Sequence, residues 1–234
     1  AGITPAALEM MDNLMIQAVE AAFHFGFPTD AGAVLIIELD GLEAGLDAQT
    51  TKIRTICERN AAREVRLAKD EAERTALWKS RKRAIGAAGR LAPNYCTQDG
   101  VVPRTKVPDI LAAITGISEK YQIRIGNVFH AGDGNIHPIL LFDERNAEET
   151  ERVLKAGQEI LQACVDLGGS LTGEHGIGVE KMGQMSLIFT PDDLLAMTQV
   201  RGVFNPENRC NPHKIFPTPH GCIDTRVPRR QASL

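Results

Sequence analysis

Aromatic side chains are scarce. Phe, Trp and Tyr make up 5% of the 234 residues, with a single Trp and two Tyr. A stacking surface for bases needs basic runs interleaved with aromatics, and no such run is present, so no nucleic-acid partner is expected. The short basic stretch at residues 226–230 reads as a solvated end. Long apolar runs are missing too: none reaches membrane-spanning length, and the N-terminus has no charged-then-apolar signal. Cysteine is sparse, odd in number and scattered (Cys57, Cys96, Cys164, Cys210 and Cys222), which fits a reducing compartment better than a disulfide framework. Three phosphate or nucleophile signatures are also absent. There is no G-x-G-x-x-G opening a helix after a strand, no Walker loop and no G-x-S-x-G elbow. A dinucleotide-binding half is therefore set aside.

What remains is an ordinary globular composition with a mild net charge of −4, long enough to bury a substantial core in one large domain or two small ones. The first residue is Ala rather than Met, which fits a piece of a longer protein or a processed one. Apolar spacing predicts helices over residues 5–24, 44–61, 70–88, 107–121, 146–167 and 191–203. Met10, Met11, Leu14 and Ile16 are expected to face the core in the first. Strands are predicted over 33–41, 64–68 and 170–172, and on both sides of a turn near 132–135, with a strand end near 97–103. The residues from Thr218 onward read as a flexible tail. Short connections and hairpins argue for an α+β layer architecture, an antiparallel or mixed sheet with helices on one face.

The stretch that organises the chain is Gly126-Asn127-Val128-Phe129-His130-Ala131-Gly132-Asp133-Gly134-Asn135-Ile136-His137-Pro138. Two apolar runs meet at a Gly/Asp/Asn corner, with His130 and His137 at its two lips. A second stretch, Gly173-Glu174-His175-Gly176-Ile177-Gly178, follows Gly168-Gly169-Ser170. Two histidines on one turn, with a carboxylate and a third histidine on another, make an open metal site. The alternative is two packed histidines at strand ends and two ordinary glycine turns. An H-x6-H spacing does not decide between them. Most charges of the 70–88 helix form a solvated face. Arg81, three residues from Trp78, stands out because a planar guanidinium suits a carboxylate.

With both stretches in view, the chain resembles the C-terminal domain of FAD-linked oxidases. More specifically, it is similar to the catalytic flavoprotein subunit of glycolate oxidase and to the D-lactate and D-2-hydroxyglutarate dehydrogenases. GNVFHAGDGNIHP and GGSLTGEHGIGVEK carry the likeness, supported in register by GITPAALEMMDN, AVLIIELDG, LWKSRKRA and FNPENRCNPHKIFP. It extends over residues 2–217 in order.

The resemblance implies a duplicated ferredoxin-like α+β cap and substrate domain over residues 1–217, built as one unit or two subdomains. It also implies a flavin held by an N-terminal FAD-binding domain that this chain lacks, and without which it is expected to be inactive. The metal ligands would be His130, His137 and Glu174, holding zinc, manganese or iron. His175 would be the catalytic base, with Asn135 and Arg81 at the substrate. Where the hydroxyglutarate enzymes use threonine and lysine, this chain has Ile85 and Thr97. Losing that cation fits a smaller monocarboxylate. The implied activity is oxidation of glycolate or D-lactate to the 2-oxo acid with hydride transfer to FAD. Implied partners are an FAD-binding domain or subunit and electron-transfer subunits. The placement implied is cytoplasmic, with any membrane association made through those subunits. Two other readings stay open: a non-catalytic metal- or 2-hydroxy-acid-binding or assembly module, and a metal-dependent hydrolase in which Glu174 and His175 activate water.

Overall fold

A computed structural model of the chain describes residues 2–217, so the tail expected from 218 onward lies outside it. In chain order the elements are β1 (Ala7–Asp12), α1 (Asn13–Phe23), β2 (Ala33–Glu38), α2 (Glu43–Arg59), α3 (Glu71–Ala88), β3 (Asn94–Thr97), β4 (Gly100–Val101), α4 (Val107–Tyr121), β5 (Ile125–His130), β6 (Asn135–Ile136), β7 (Pro138–Phe142), α5 (Ala147–Asp166) and α6 (Pro191–Phe204). The class is α+β, as expected. Every strand pair is antiparallel, and the sheet runs β2-β1-β5-β6-β4, with β7 beside β5 and β3 beside β7.

Two expectations about the sheet need correction. Residues 7–12 do not join the first helix but form β1, paired with β2 on one side and β5 on the other. Ala, Leu, Glu and Met favour helix in isolation, yet two neighbouring ladders satisfy the backbone here and override that preference. The helix starts only at Asp12, whose carboxylate caps the Met15 N–H at 3.1 Å. Its other oxygen accepts from the Asn127 backbone N–H at 2.7 Å and amide at 2.8 Å, pinning the β1–α1 corner to the central strand.

Helices cover both faces of the central strands rather than one. Met11, Val128, Ile139 and Leu141 pack with Met15, Ile16 and Val19 of α1 and the alanines of α3. Ile125, Phe129, Ile136 and Leu140 face the other way, against Ile110, Ile114 and Ile117 of α4 and Val153, Ala156 and Ile160 of α5. A strand buried on both faces reads as a continuous apolar run rather than an alternating one, so such a run cannot reveal one-sided cover.

Residues 64–68 form no strand, and residues 170–172 contribute only a single bridge, Val101 to Ser170. The second predicted helix forms as α2, but none of its residues is buried. All four described cysteines are free. Among the described residues no helix is long and apolar enough to cross a membrane.

Candidate metal and substrate site

Strand parity builds one half of the site. Glu9 pairs with His130, and His130 with Asn135, so these three share a face of the sheet. The same registers carried two residues on set His137 opposite Val128 and Asp99 opposite His137, on that face again. It is the face covered by α1 and α3, from which Arg81 descends. The hairpin corner at 131–134 demands a glycine at its last position. Gly134 has φ +74°, and a Cβ there would lie 2.1 Å from the Val102 carbonyl oxygen.

The other half is a loop. After α5 the chain returns through Gly169 and the Ser170 bridge, then wraps residues 172–175 around the Asp99 carboxylate. That carboxylate accepts from the Thr172 hydroxyl at 2.5 Å, the Gly173 N–H at 3.0 Å, the Glu174 N–H at 3.3 Å and the His175 N–H at 3.0 Å. Lys181 donates to its backbone carbonyl at 2.7 Å and reaches its carboxylate at 3.3 Å. Asp99 is fully buried. Burial opposes its charge, but the Thr172 hydroxyl, the His175 N–H, the Lys181 ammonium and the Glu174 N–H outweigh that and hold it well below the usual carboxylate range. Burial lowers the Lys181 ammonium, against the pull of Asp99.

Across the cleft, Glu174 Oε1 lies 3.2 Å from His137 Nε2 and 3.6 Å from His130 Nε2. Atoms bound about 2.0–2.2 Å from one tetrahedral ion sit roughly 3–3.5 Å apart, so these three donors fit a divalent cation. Burial pushes the His137 imidazolium down, against Asp99, the Gln98 carbonyl and Glu174, leaving a neutral ring with a lone pair to offer. His130 is held from behind by Glu9, whose Oε1 is 2.7 Å from Nδ1. The His175 ring stacks on His137, with centroids 5.1 Å apart and planes 13° from parallel, and its Nε2 is 3.9 Å from Glu174 Oε1. A second group of donors, Asp99, His137 and His175, shares His137, but its carboxylate is already committed to the loop.

The cleft beside these groups has a volume of about 350 Å³ and is lined by Val101, His130, Asp133, Asn135, Gly173 and Glu174. Asn135 is 7% exposed, and its Oδ1 is buried without a hydrogen-bond partner, an acceptor left for a ligand. Arg81 does not line this cleft. It is buried, and its Nε donates to Glu9 Oε2 at 2.8 Å, so it meets the site through Glu9. Trp78 faces a different cleft, with Glu38, Arg74 and Lys82. Ile85 packs against the α1–α3 core, and Thr97 ends β3.

The sequence reading thus singled out His130, His137, Glu174, His175 and Asn135, which the fold gathers, and Arg81, which it brings alongside. It missed Glu9, Asp99 and Lys181. Glu9 was hidden inside a helix that does not form there. Asp99 lay unremarked within the strand end expected near 97–103, and the only trace of Lys181 was its place in a motif.

The comparisons with known proteins bear on the same elements. The model of "FAD linked oxidases, C-terminal domain" matches residues 1–215. The chain is 45% identical over 223 residues to glycolate oxidase subunit GlcD of Escherichia coli, covering 95% of this chain and 45% of that protein. It is 39% identical over 216 residues to the same-named subunit of Bacillus subtilis, covering 92% and 46%. It therefore spans a little under half the length of these relatives. Among solved structures, p-cresol methylhydroxylase with substrate bound superposes with a TM-score of 0.67 at 11% identity, covering 89% of this chain and 46% of that one, a likeness of fold. The matched model and the relatives agree: this chain belongs to the family of FAD-linked oxidase C-terminal domains.

Proposed function

We propose that the chain is the substrate- and metal-binding part of an FAD-dependent D-2-hydroxy-acid dehydrogenase that converts glycolate or D-lactate to the 2-oxo acid. The observation that carries this reading is the convergence of His130, His137 and Glu174 on one point beside a cleft with an unpaired Asn135 acceptor. The relatives named glycolate oxidase subunit support the substrate class. In this reading residues 1–217 are the cap domain, and a separate domain or subunit holds the FAD. Electrons then pass to further subunits, and any membrane association of the cytoplasmic assembly is made through them.

A divalent ion such as zinc, manganese or iron would supply polarisation of the substrate hydroxyl, and a flavin would supply the hydride acceptor. The chain's own residues do the rest. His130, His137 and Glu174 would hold the ion at the edge of the cleft. His175, at the exposed rim next to Glu174, takes the hydroxyl proton. Asn135 lines the cleft against the bound substrate. Arg81 grips its carboxylate through the N–H groups not used by Glu9, which fixes the direction of the α C–H bond. Ile85 and Thr97 add no cation, which favours a monocarboxylate.

The test is elemental mass spectrometry of the purified chain beside His137→Ala and Glu174→Gln, followed by flavin bleaching with glycolate and D-lactate once an FAD-binding domain is supplied. Near one ion per chain in the parent, loss in both variants and bleaching by a short hydroxy acid are expected. A parent that binds the ion and the acid but never bleaches flavin would leave a binding module.

A further inference from the structure

We infer that Glu9 is a positioning residue for the metal centre, setting the tautomer of His130 and tying that ligand to Arg81. This rests on the reading of His130 as a ligand. Glu9 is 6% exposed, and its two oxygens are spent on different partners. Oε2 accepts from Arg81 Nε at 2.8 Å, and Oε1 lies 2.7 Å from His130 Nδ1. A carboxylate held by a guanidinium can only accept, so Nδ1 carries the ring hydrogen. The Nε2 lone pair is thereby turned into the cleft, toward Glu174 Oε1 at 3.6 Å. A partner on the far nitrogen of a metal-binding histidine decides which nitrogen is free to coordinate.

The other ligand histidine is held more weakly. His137 Nδ1 has the Gln98 carbonyl at 3.4 Å and Asp99 Oδ1 at 3.9 Å. Burial between β6 and β7, with the His175 ring stacked on it, fixes that ring. His130 is more exposed and depends on Glu9 for its orientation. Because Arg81 shares the same carboxylate, one buried side chain sets the position of both a metal ligand and a substrate clamp. Glu9 itself touches neither ion nor substrate.

Glu9→Gln is the diagnostic change. Arg81 keeps the amide oxygen as its acceptor, which turns the amide N–H₂ toward His130 Nδ1 and forces the hydrogen onto Nε2, where it blocks coordination. The experiment uses the metal-free chain with ¹⁵N-labelled imidazoles, His130 being assigned against His130→Ala. Long-range ¹H–¹⁵N correlations read the tautomer, and zinc titration calorimetry reads the affinity. The parent is expected to show Nδ1–H at His130. Glu9→Gln is expected to show Nε2–H and to bind zinc roughly 10- to 100-fold more weakly.

An Nε2–H tautomer in the parent overturns the inference with no variant needed. So does a Glu9→Gln chain whose zinc affinity stays within about threefold of the parent, and the metal site itself then survives. A parent that takes up no zinc while showing Nδ1–H sinks the metal reading, and the inference falls with it.

Discussion

The two walls of the cleft are held by different physics. The wall carrying His130, Asn135 and His137 is built on strands, with His130 and Asn135 paired to neighbours, His137 at the junction of β6 and β7, and both faces of β5 packed against helices. The wall carrying Glu174 and His175 is an irregular loop whose geometry rests on one buried carboxylate, that of Asp99. A ladder spreads its stability over many bonds, so losing one side chain leaves the backbone in place. A loop folded around a single charge concentrates it, and Lys181 raises the stakes by burying a cation beside that charge.

The largest effect should come from removing that charge. Asp99→Ala leaves Lys181 buried without its counter-charge and strands four donors, a loss of about 3–5 kcal/mol in urea unfolding, with residues 172–175 losing hydrogen-exchange protection. A loss below about 1 kcal/mol would mean that the loop wall is held by something other than Asp99. Next comes the seam between the walls. At Gly169 a Cβ would lie 1.8 Å from the Val101 carbonyl oxygen, so Gly169→Ala should push the loop off the sheet at a cost of roughly 2–3 kcal/mol, read from the same unfolding curves.

A smaller effect separates the walls by pH. Asp99 titrates lower in the folded chain than in the unfolded one, so the folded state binds fewer protons. Its stabilisation is complete above the unfolded value of roughly 4 and is lost as pH falls from there toward the folded value. The gap in unfolding free energy between the parent and Asp99→Asn should therefore narrow below about pH 4 and stay constant near neutrality. A gap independent of pH would remove the charge from the account. The smallest effect serves as a control away from both walls. Gly116 is exposed within α4 with nothing near its Cβ position, and Gly116→Ala should stabilise by about 0.5–1 kcal/mol without altering metal uptake.

How much could be read in advance follows the same division. His130 and His137 were legible because a glycine-rich turn between two apolar runs is a local pattern. Glu174 and His175 were legible as a second glycine-flanked turn. Their meeting was not, since it depends on Val101 bridging to Ser170 and on Asp99 catching the loop that follows α5. Glu9 was out of reach for another reason. Ala7 to Asp12 is a helical string by propensity, and only its two strand neighbours make it β1 and turn Glu9 beside His130. Arg81 stood out by its chemistry, yet its partner lies 72 residues away in sequence, and spacing carries no record of such a contact.

The sequence by itself determined the α+β class, most helix positions, the central hairpin and the side chains able to hold an ion, because periodicity, glycine punctuation and donor chemistry are local. Tertiary structure alone decided that helices cover both faces of the sheet. It also decided that residues 7–12 are a strand, and that Asp99 and Glu9 hold the two walls of the cleft from behind. Each of those outcomes is settled by strand register and long-range burial, and a register shifted by one residue would have turned Glu9 to the opposite face of the sheet, away from His130.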